Sequence, residues 1–112
     1  MARARLLVMT SRWEGLPTVA IEALLHGALP AGFDLPPLAE ILGPAAETCL
    51  APPDPARLAG RIADLLADEP RRAKLAAEAG ARARGRYSTA RMAADYDALY
   101  AEARRIAGAR RR

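Results

Sequence analysis

Two glutamates, Glu14 and Glu22, are the residues whose type and spacing could do chemistry. They flank seven residues at a predicted strand-to-helix junction. The first turn of a helix carries unpaired backbone N–H groups and a partial positive charge, which together favour a phosphate. Here those groups lie around Thr18 and Val19, and Gly15 lets a phosphate approach the backbone closely. The junction therefore suits a phosphate-bearing ligand.

The spacing also suggests what each carboxylate could contact. Glu22 lies four residues after Thr18 on the same helical face, and helical side chains lean toward the N-terminus, so its carboxylate can reach the phosphate region. Two carboxylate oxygens match the two adjacent hydroxyls of a ribose. Glu14 would reach the other side of the phosphate, where a donor sugar would lie. The alternative is that both are solvated acids that complement a helix N-terminus, and spacing alone does not decide between the two.

The elements around these glutamates follow the order of a parallel α/β sheet. An apolar run within residues 4–10 predicts a short buried strand. Residues 17–26 predict a helix, which Gly27 ends. His26 is interpreted as a cap at that helix end rather than as a catalytic group.

The next segment is harder to assign. Residues 28–34 occupy the place of a second parallel strand, but Pro30 and Gly32 argue against a regular central strand and favour an edge position or disorder. A short helix is predicted over residues 36–42, and a further brief strand over residues 47–51.

Three helices are predicted after this point, and we expect them to cover the sheet. Asp54 caps the first, Pro70 begins a second that runs to about Arg84 with Leu75 as its main apolar anchor, and Ser88 caps the third. The first and third carry apolar residues at helical spacing, namely Leu58, Ile62, Leu65 and Leu66, and Met92, Tyr96, Leu99, Tyr100, Ala103 and Ile106.

Composition limits the classes of protein that fit. The chain has 112 residues, enough for one small domain, and its 52% hydrophobic and 4% aromatic content favours a helix-rich fold. No apolar stretch approaches the ~20 residues that span a bilayer, which predicts a cytoplasmic chain. The lone Cys49 cannot form an internal disulfide and is expected to be buried. No pattern indicates a metal or a cofactor.

The net charge of +4 is concentrated in the C-terminal part. Residues 1–69 carry five Arg against nine acids, whereas residues 70–112 carry twelve Lys and Arg against four acids. Such a segment can contact acidic lipid head groups at the inner face of a membrane, although the preference for Arg also fits compositional bias. A nucleic-acid partner is not expected.

Several motifs resemble the glycosyltransferase family 4 signature. The motifs run from Ser11-Arg12-Trp13-Glu14-Gly15-Leu16-Pro17 through Glu22-Ala23, His26-Gly27, Asp34, Glu40-Ile41-Leu42 and Pro52-Pro53-Asp54-Pro55 to Arg86-Tyr87-Ser88. The resemblance covers nearly the whole chain and is to the second half of that family's C-terminal domain.

This resemblance implies a fold and a set of roles. The expected fold is α/β, a partial Rossmann-like domain of the GT-B fold with short parallel strands followed by three C-terminal helices. The Glu motif would lie in residues 1–53 and the helical part in residues 54–112. Glu22 would bind the ribose of a nucleotide-diphosphate sugar, and Glu14 would act at the donor sugar as the catalytic residue. Backbone groups around Gly15, Leu16, Thr18 and Val19 would contact the diphosphate, with transfer retaining the anomeric configuration.

The chain also departs from the family pattern. The upstream Arg and Lys of the family, the first half of the donor domain and the acceptor domain have no counterpart in these residues, so we expect the chain to be inactive alone or to need a partner chain. Residues 29–33 suggest a relaxed constraint on the sheet, as in a truncated remnant. A third alternative is a small basic helical protein that docks on an acidic partner or a membrane surface.

Overall fold

A computed structural model describes residues 3–112 as an α/β unit followed by helices. The elements are β1 Leu6–Met9, α1 Thr18–Leu25, β2 Leu29–Phe33, α2 Pro36–Leu42, a 3₁₀ turn Gly43–Ala45, α3 Ala46–Cys49, β3 Leu50–Ala51, α4 Pro55–Ala67, α5 Glu69–Arg86 and α6 Thr89–Arg110. The three strands are parallel in the order β1-β2-β3. This architecture is compatible with a partial Rossmann-like domain.

The second strand is regular, central and fully buried, so the expectation of an edge position or disorder is wrong. Pro30 is tolerated because of the side to which its nitrogen points. Leu29 N–H donates to the Arg5 carbonyl on the β1 side, and successive N–H groups of a strand alternate sides, so the nitrogen of Pro30 faces the β3 side. There β3 pairs only with Gly32 and Phe33 and does not extend to Pro30. The missing donor therefore leaves no ladder bond unmade.

The glycine at position 32 is explained by close packing, not by a relaxed constraint on the sheet. It pairs with Met9 at the end of β1. A Cβ added at Gly32 would lie 2.6 Å from the carbonyl oxygen of Met9 and 3.2 Å from Cδ2 of Leu38. The two strands and α2 close around a position that only glycine fits without displacement.

The strands at either side of β2 differ from the sequence prediction in extent. In β1 only Met9 is buried, and Val8 is 46% exposed. The strand predicted over residues 47–51 shrinks to Leu50–Ala51, because Ala46–Cys49 form a helical turn. The helix predicted over residues 36–42 is confirmed.

The helix α4 begins as predicted. The Asp54 carboxylate accepts a hydrogen bond from the Ala56 N–H at 2.9 Å, and Pro55 follows the cap. Leu58 and Leu65 are buried, whereas Leu66 is exposed and does not belong to the packed stripe.

The helix α5 packs on α1 through small residues, not through Leu75, which is only half-buried. Ala76, Ala79 and Ala83 are buried, and a Cβ at Gly80 would lie 3.0 Å from the Leu24 carbonyl oxygen. The buried side chains of this helix are therefore mostly small, and small side chains let the two helices approach closely.

The last helix does not cover the sheet as expected. Ser88 caps α6 by accepting a hydrogen bond from the Arg91 N–H at 3.1 Å, as predicted, but no residue of α6 is buried. The described chain is elongated, 63 × 26 × 21 Å, and α6 leaves the α/β body at Tyr87. None of the helices within residues 3–112 is both long and apolar enough to cross a membrane.

Candidate functional site

The loop after β1 leads to the N-terminus of α1. Pro17 precedes the helix and contributes no side-chain cap, while its carbonyl accepts a hydrogen bond from the Ala20 N–H at 3.0 Å. The N–H groups of Thr18 and Val19 have no carbonyl four residues earlier within the helix, which leaves them free to bind an anion. Both residues are exposed.

The loop also fixes the first glutamate. The Ser11 hydroxyl donates to Glu14 Oε1 at 2.7 Å, and both side chains are half-buried. This hydrogen bond orients one oxygen of the carboxylate and leaves the other without a described partner. Gly15, next in the loop, is exposed, and a Cβ there would meet nothing within 4 Å.

An open groove of about 800 Å³ runs between the start of α1 and the start of α6. Its lining residues come from the two helices and from the junction of α5 with α6: Leu16, Thr18, Ile21, Glu22, Arg86, Tyr87, Ser88, Thr89, Arg91, Met92, Asp95, Tyr96 and Leu99. Cavities of this size accommodate small organic ligands.

The groove brings together part of the predicted site. Leu16, Thr18 and Glu22 line it. Glu14, Gly15 and Val19 do not line it, although Glu14 and Gly15 lie in the loop next to Leu16. The predicted ribose contact Glu22 thus shares one cavity with two of the four predicted phosphate contacts, Leu16 and Thr18. The predicted donor-sugar contact Glu14 lies outside it, on the loop.

The second wall of the groove was missed by the sequence reasoning. The residues after Ser88 were assigned to a last helix that covers the sheet, whereas several residues from Arg86 to Leu99 face Thr18 and Glu22 across the groove. Arg91 and Asp95 stand four residues apart and form an ion pair, which supports the helix but does not indicate which surface it faces.

The groove contains two positive and two negative side chains. Arg91 Nε donates to both carboxylate oxygens of Asp95, at 3.0 and 3.1 Å. Arg86 donates through Nη2 to the Glu40 carboxylate, and its guanidinium carbon lies 5.9 Å from the centre of the Tyr87 ring. The Tyr87 hydroxyl is buried and has no hydrogen-bond partner within residues 3–112.

Three further residues, His26, Cys49 and Trp13, lie outside the groove. His26 Nδ1 hydrogen-bonds to the Glu22 carbonyl oxygen at 2.8 Å, which agrees with its interpretation as a cap. Cys49 is buried as predicted, and burial raises the pKa of its thiol to about 11, with Arg61 and Arg71 acting weakly in the opposite direction. Trp13, next to Glu14 in the loop, is 84% exposed. No group of three or more metal-binding side chains is present in residues 3–112.

One comparison with known proteins identifies a family. The family model described as glycosyl transferases group 1 matches residues 1–82. No curated protein and no solved structure matches the chain significantly. The matched range contains the loop, both glutamates and α1, and it ends within α5, so that the α6 wall of the groove lies beyond it.

Proposed function

The chain belongs to the group 1 glycosyl transferases, and on this premise we propose that its groove binds the nucleotide-diphosphate part of an activated sugar donor. The observation that carries the proposal is that Thr18 and Glu22 line one cavity at the N-terminus of α1. Free N–H groups there suit a phosphate, and an exposed carboxylate one helical turn further suits a pair of vicinal hydroxyls.

In this proposal each residue of the motif has a role. Glu22 accepts hydrogen bonds from the two ribose hydroxyls. Backbone groups of Gly15, Leu16, Thr18 and Val19 bind the diphosphate. Glu14, oriented by Ser11, contacts the donor sugar where the loop extends beyond the groove.

The reaction in which this site would take part is retaining glycosyl transfer. The leaving diphosphate would be stabilised electrostatically by the helix N-terminus. Acceptor binding is assigned to protein surface other than these residues, in the same or another polypeptide. The described residues alone are therefore proposed to bind the donor without transferring the sugar.

Calorimetric titration with uridine and guanosine diphosphates tests the proposal. Glu22→Ala should weaken binding at least tenfold, because a hydrogen bond to a charged group contributes about 1.5–3 kcal/mol. Glu78→Ala is the matched control, since Glu78 is an exposed glutamate of α5 that does not line the groove. The proposal fails if the folded wild-type chain binds neither diphosphate, or if Glu22→Ala binds as tightly as wild type.

The role of Glu14 is tested separately by comparing a nucleotide diphosphate with the corresponding hexose-bearing donor. Glu14→Ala should leave the affinity for the diphosphate unchanged and should abolish any extra affinity that the sugar provides. An equal loss for both ligands would contradict a contact between Glu14 and the sugar.

A second candidate function rests on α6. Its exposed apolar residues, Met92, Tyr96, Leu99, Tyr100 and Ile106, accompany the basic end formed by Arg110, Arg111 and Arg112. An apolar face next to a basic end suits a helix that binds an acidic partner or an anionic membrane surface.

Co-sedimentation with anionic vesicles tests this second candidate. Binding should weaken steeply between low and high salt, should be absent with neutral vesicles, and should not change in Glu22→Ala. Replacing the three terminal arginines by glutamine should remove it. Equal binding to neutral and anionic vesicles, or binding that survives loss of these arginines, would contradict the electrostatic part of the argument.

A further inference from the structure

Two arginines, Arg86 and Arg91, line the groove, and their surroundings differ. Arg86 is occupied by Glu40 and lies against the Tyr87 ring. Arg91 uses only Nε to contact Asp95, and its two Nη groups have no hydrogen-bond partner within residues 3–112. One edge of this guanidinium is therefore fixed on α6, and the other is available to a ligand.

A nucleotide diphosphate needs such a group. The helix N-terminus offers a partial charge of roughly half a unit, which does not neutralise a diphosphate. Arginine binds phosphate through two parallel N–H donors, and the Nη1 and Nη2 pair of Arg91 retains that bidentate geometry. Arg91 lines the same cavity as Thr18 and Glu22, so the two walls can contact one ligand.

We propose that Arg91 is the diphosphate-binding cation of the groove, contacting from α6 the same phosphates that the N–H group of Thr18 contacts from α1. The ion pair with Asp95 holds the guanidinium against the helix while its outer edge points away from that carboxylate. This inference rests on the proposed function of the groove. It adds a residue beyond the part of the chain that the family comparison matches.

Titration of the whole chain with uridine diphosphate and guanosine diphosphate, in low and in moderate salt, tests the inference. Arg91→Ala should weaken binding of whichever diphosphate the wild type binds by about tenfold, and Arg91→Lys should recover part of the loss, because it keeps the charge but not the bidentate geometry. Arg104→Ala is the control, since Arg104 lies on α6 outside the groove. It should bind as wild type does.

The outcomes separate this inference from the function on which it rests. If Arg91→Ala binds as tightly as wild type while Glu22→Ala does not bind, the groove is a nucleotide site and the role of Arg91 is refuted. If the folded wild-type chain binds neither diphosphate, both ideas fail. If Arg91→Ala and Arg104→Ala lose affinity equally, the effect is one of general charge, and the specific contact is refuted. Far-UV circular dichroism of each variant checks that α6 remains helical.

Discussion

Replacing Gly32 by alanine tests whether the close approach of β1, β2 and α2 is essential to the fold. The new Cβ would lie 2.6 Å from the Met9 carbonyl oxygen, 3.1 Å from the Met9 Cβ and 3.2 Å from Leu38 Cδ2. The first contact is with backbone, which cannot rotate away as a side chain can. Either the β1–β2 spacing at Met9 must increase or the strand must shift.

The expected change in the free energy of unfolding of Gly32→Ala follows from two opposing effects. Overpacking a tight core site costs about 1–3 kcal/mol, and a backbone clash belongs at the upper end of that range. Gly32 does not have a positive φ, so alanine also restricts the unfolded chain and returns about 0.4–1 kcal/mol. We expect Gly32→Ala to lower the free energy of unfolding by about 2 kcal/mol.

The matched control is Gly60→Ala in α4. A Cβ at Gly60 would meet nothing within 4 Å, and the residue lies inside a helix, so alanine should raise the free energy of unfolding by about 0.5–1 kcal/mol. Urea denaturation followed by circular dichroism measures both variants. The two changes should have opposite signs. A Gly32→Ala variant within about 0.5 kcal/mol of wild type, with an unchanged dependence on urea, would refute the reasoning.

Two further predictions concern buried polar groups. Tyr87→Phe removes a buried hydroxyl without a partner in residues 3–112 and should raise the free energy of unfolding by about 1 kcal/mol in the same urea assay, whereas a loss would mean that the hydroxyl is hydrogen-bonded in solution. Cys49 should resist thiol reagents at pH 8 in the folded chain, because burial keeps the thiol protonated. Its raised pKa means that the folded state holds the thiol proton more tightly than the unfolded state does. The contribution of Cys49 to stability should therefore be constant well below pH 9 and fall by on the order of 2–3 kcal/mol toward about pH 11, and Cys49→Ala should lack that part of the pH dependence.

The local parts of the fold could be predicted from the sequence because each depends on neighbouring residues. Asp54 and Ser88 cap their helices as expected, since a cap needs only a side-chain oxygen and an N–H two or three residues later. The helix over Pro36–Leu42 likewise follows from its own residues.

The predictions that failed depended on what lies opposite a residue. Pro30 suits a central strand here only because β3 is short on the side that its nitrogen faces, which no residue near Pro30 encodes. Leu75 was expected to be the main apolar anchor of α5. The helix instead buries Ala76, Ala79 and Ala83, and its close approach to α1 excludes a larger residue at Gly80.

The candidate site likewise has a part that follows from local sequence and a part that depends on tertiary structure. Thr18 and Glu22 are one helical turn apart, so their common position in the groove follows from helical geometry alone. Arg91 is far from them in sequence, and its position opposite Glu22 depends on the angle at which α6 leaves α5 near Tyr87.

Helical spacing of Met92, Tyr96 and Leu99 identifies an apolar face, but the same spacing describes a face packed on a core and a face that lines a groove. Because α6 buries none of these residues, its apolar face is available to contribute to ligand binding or to a partner interface. The Arg91 and vesicle experiments distinguish these uses, because the first depends on the start of α6 and the second on its basic end.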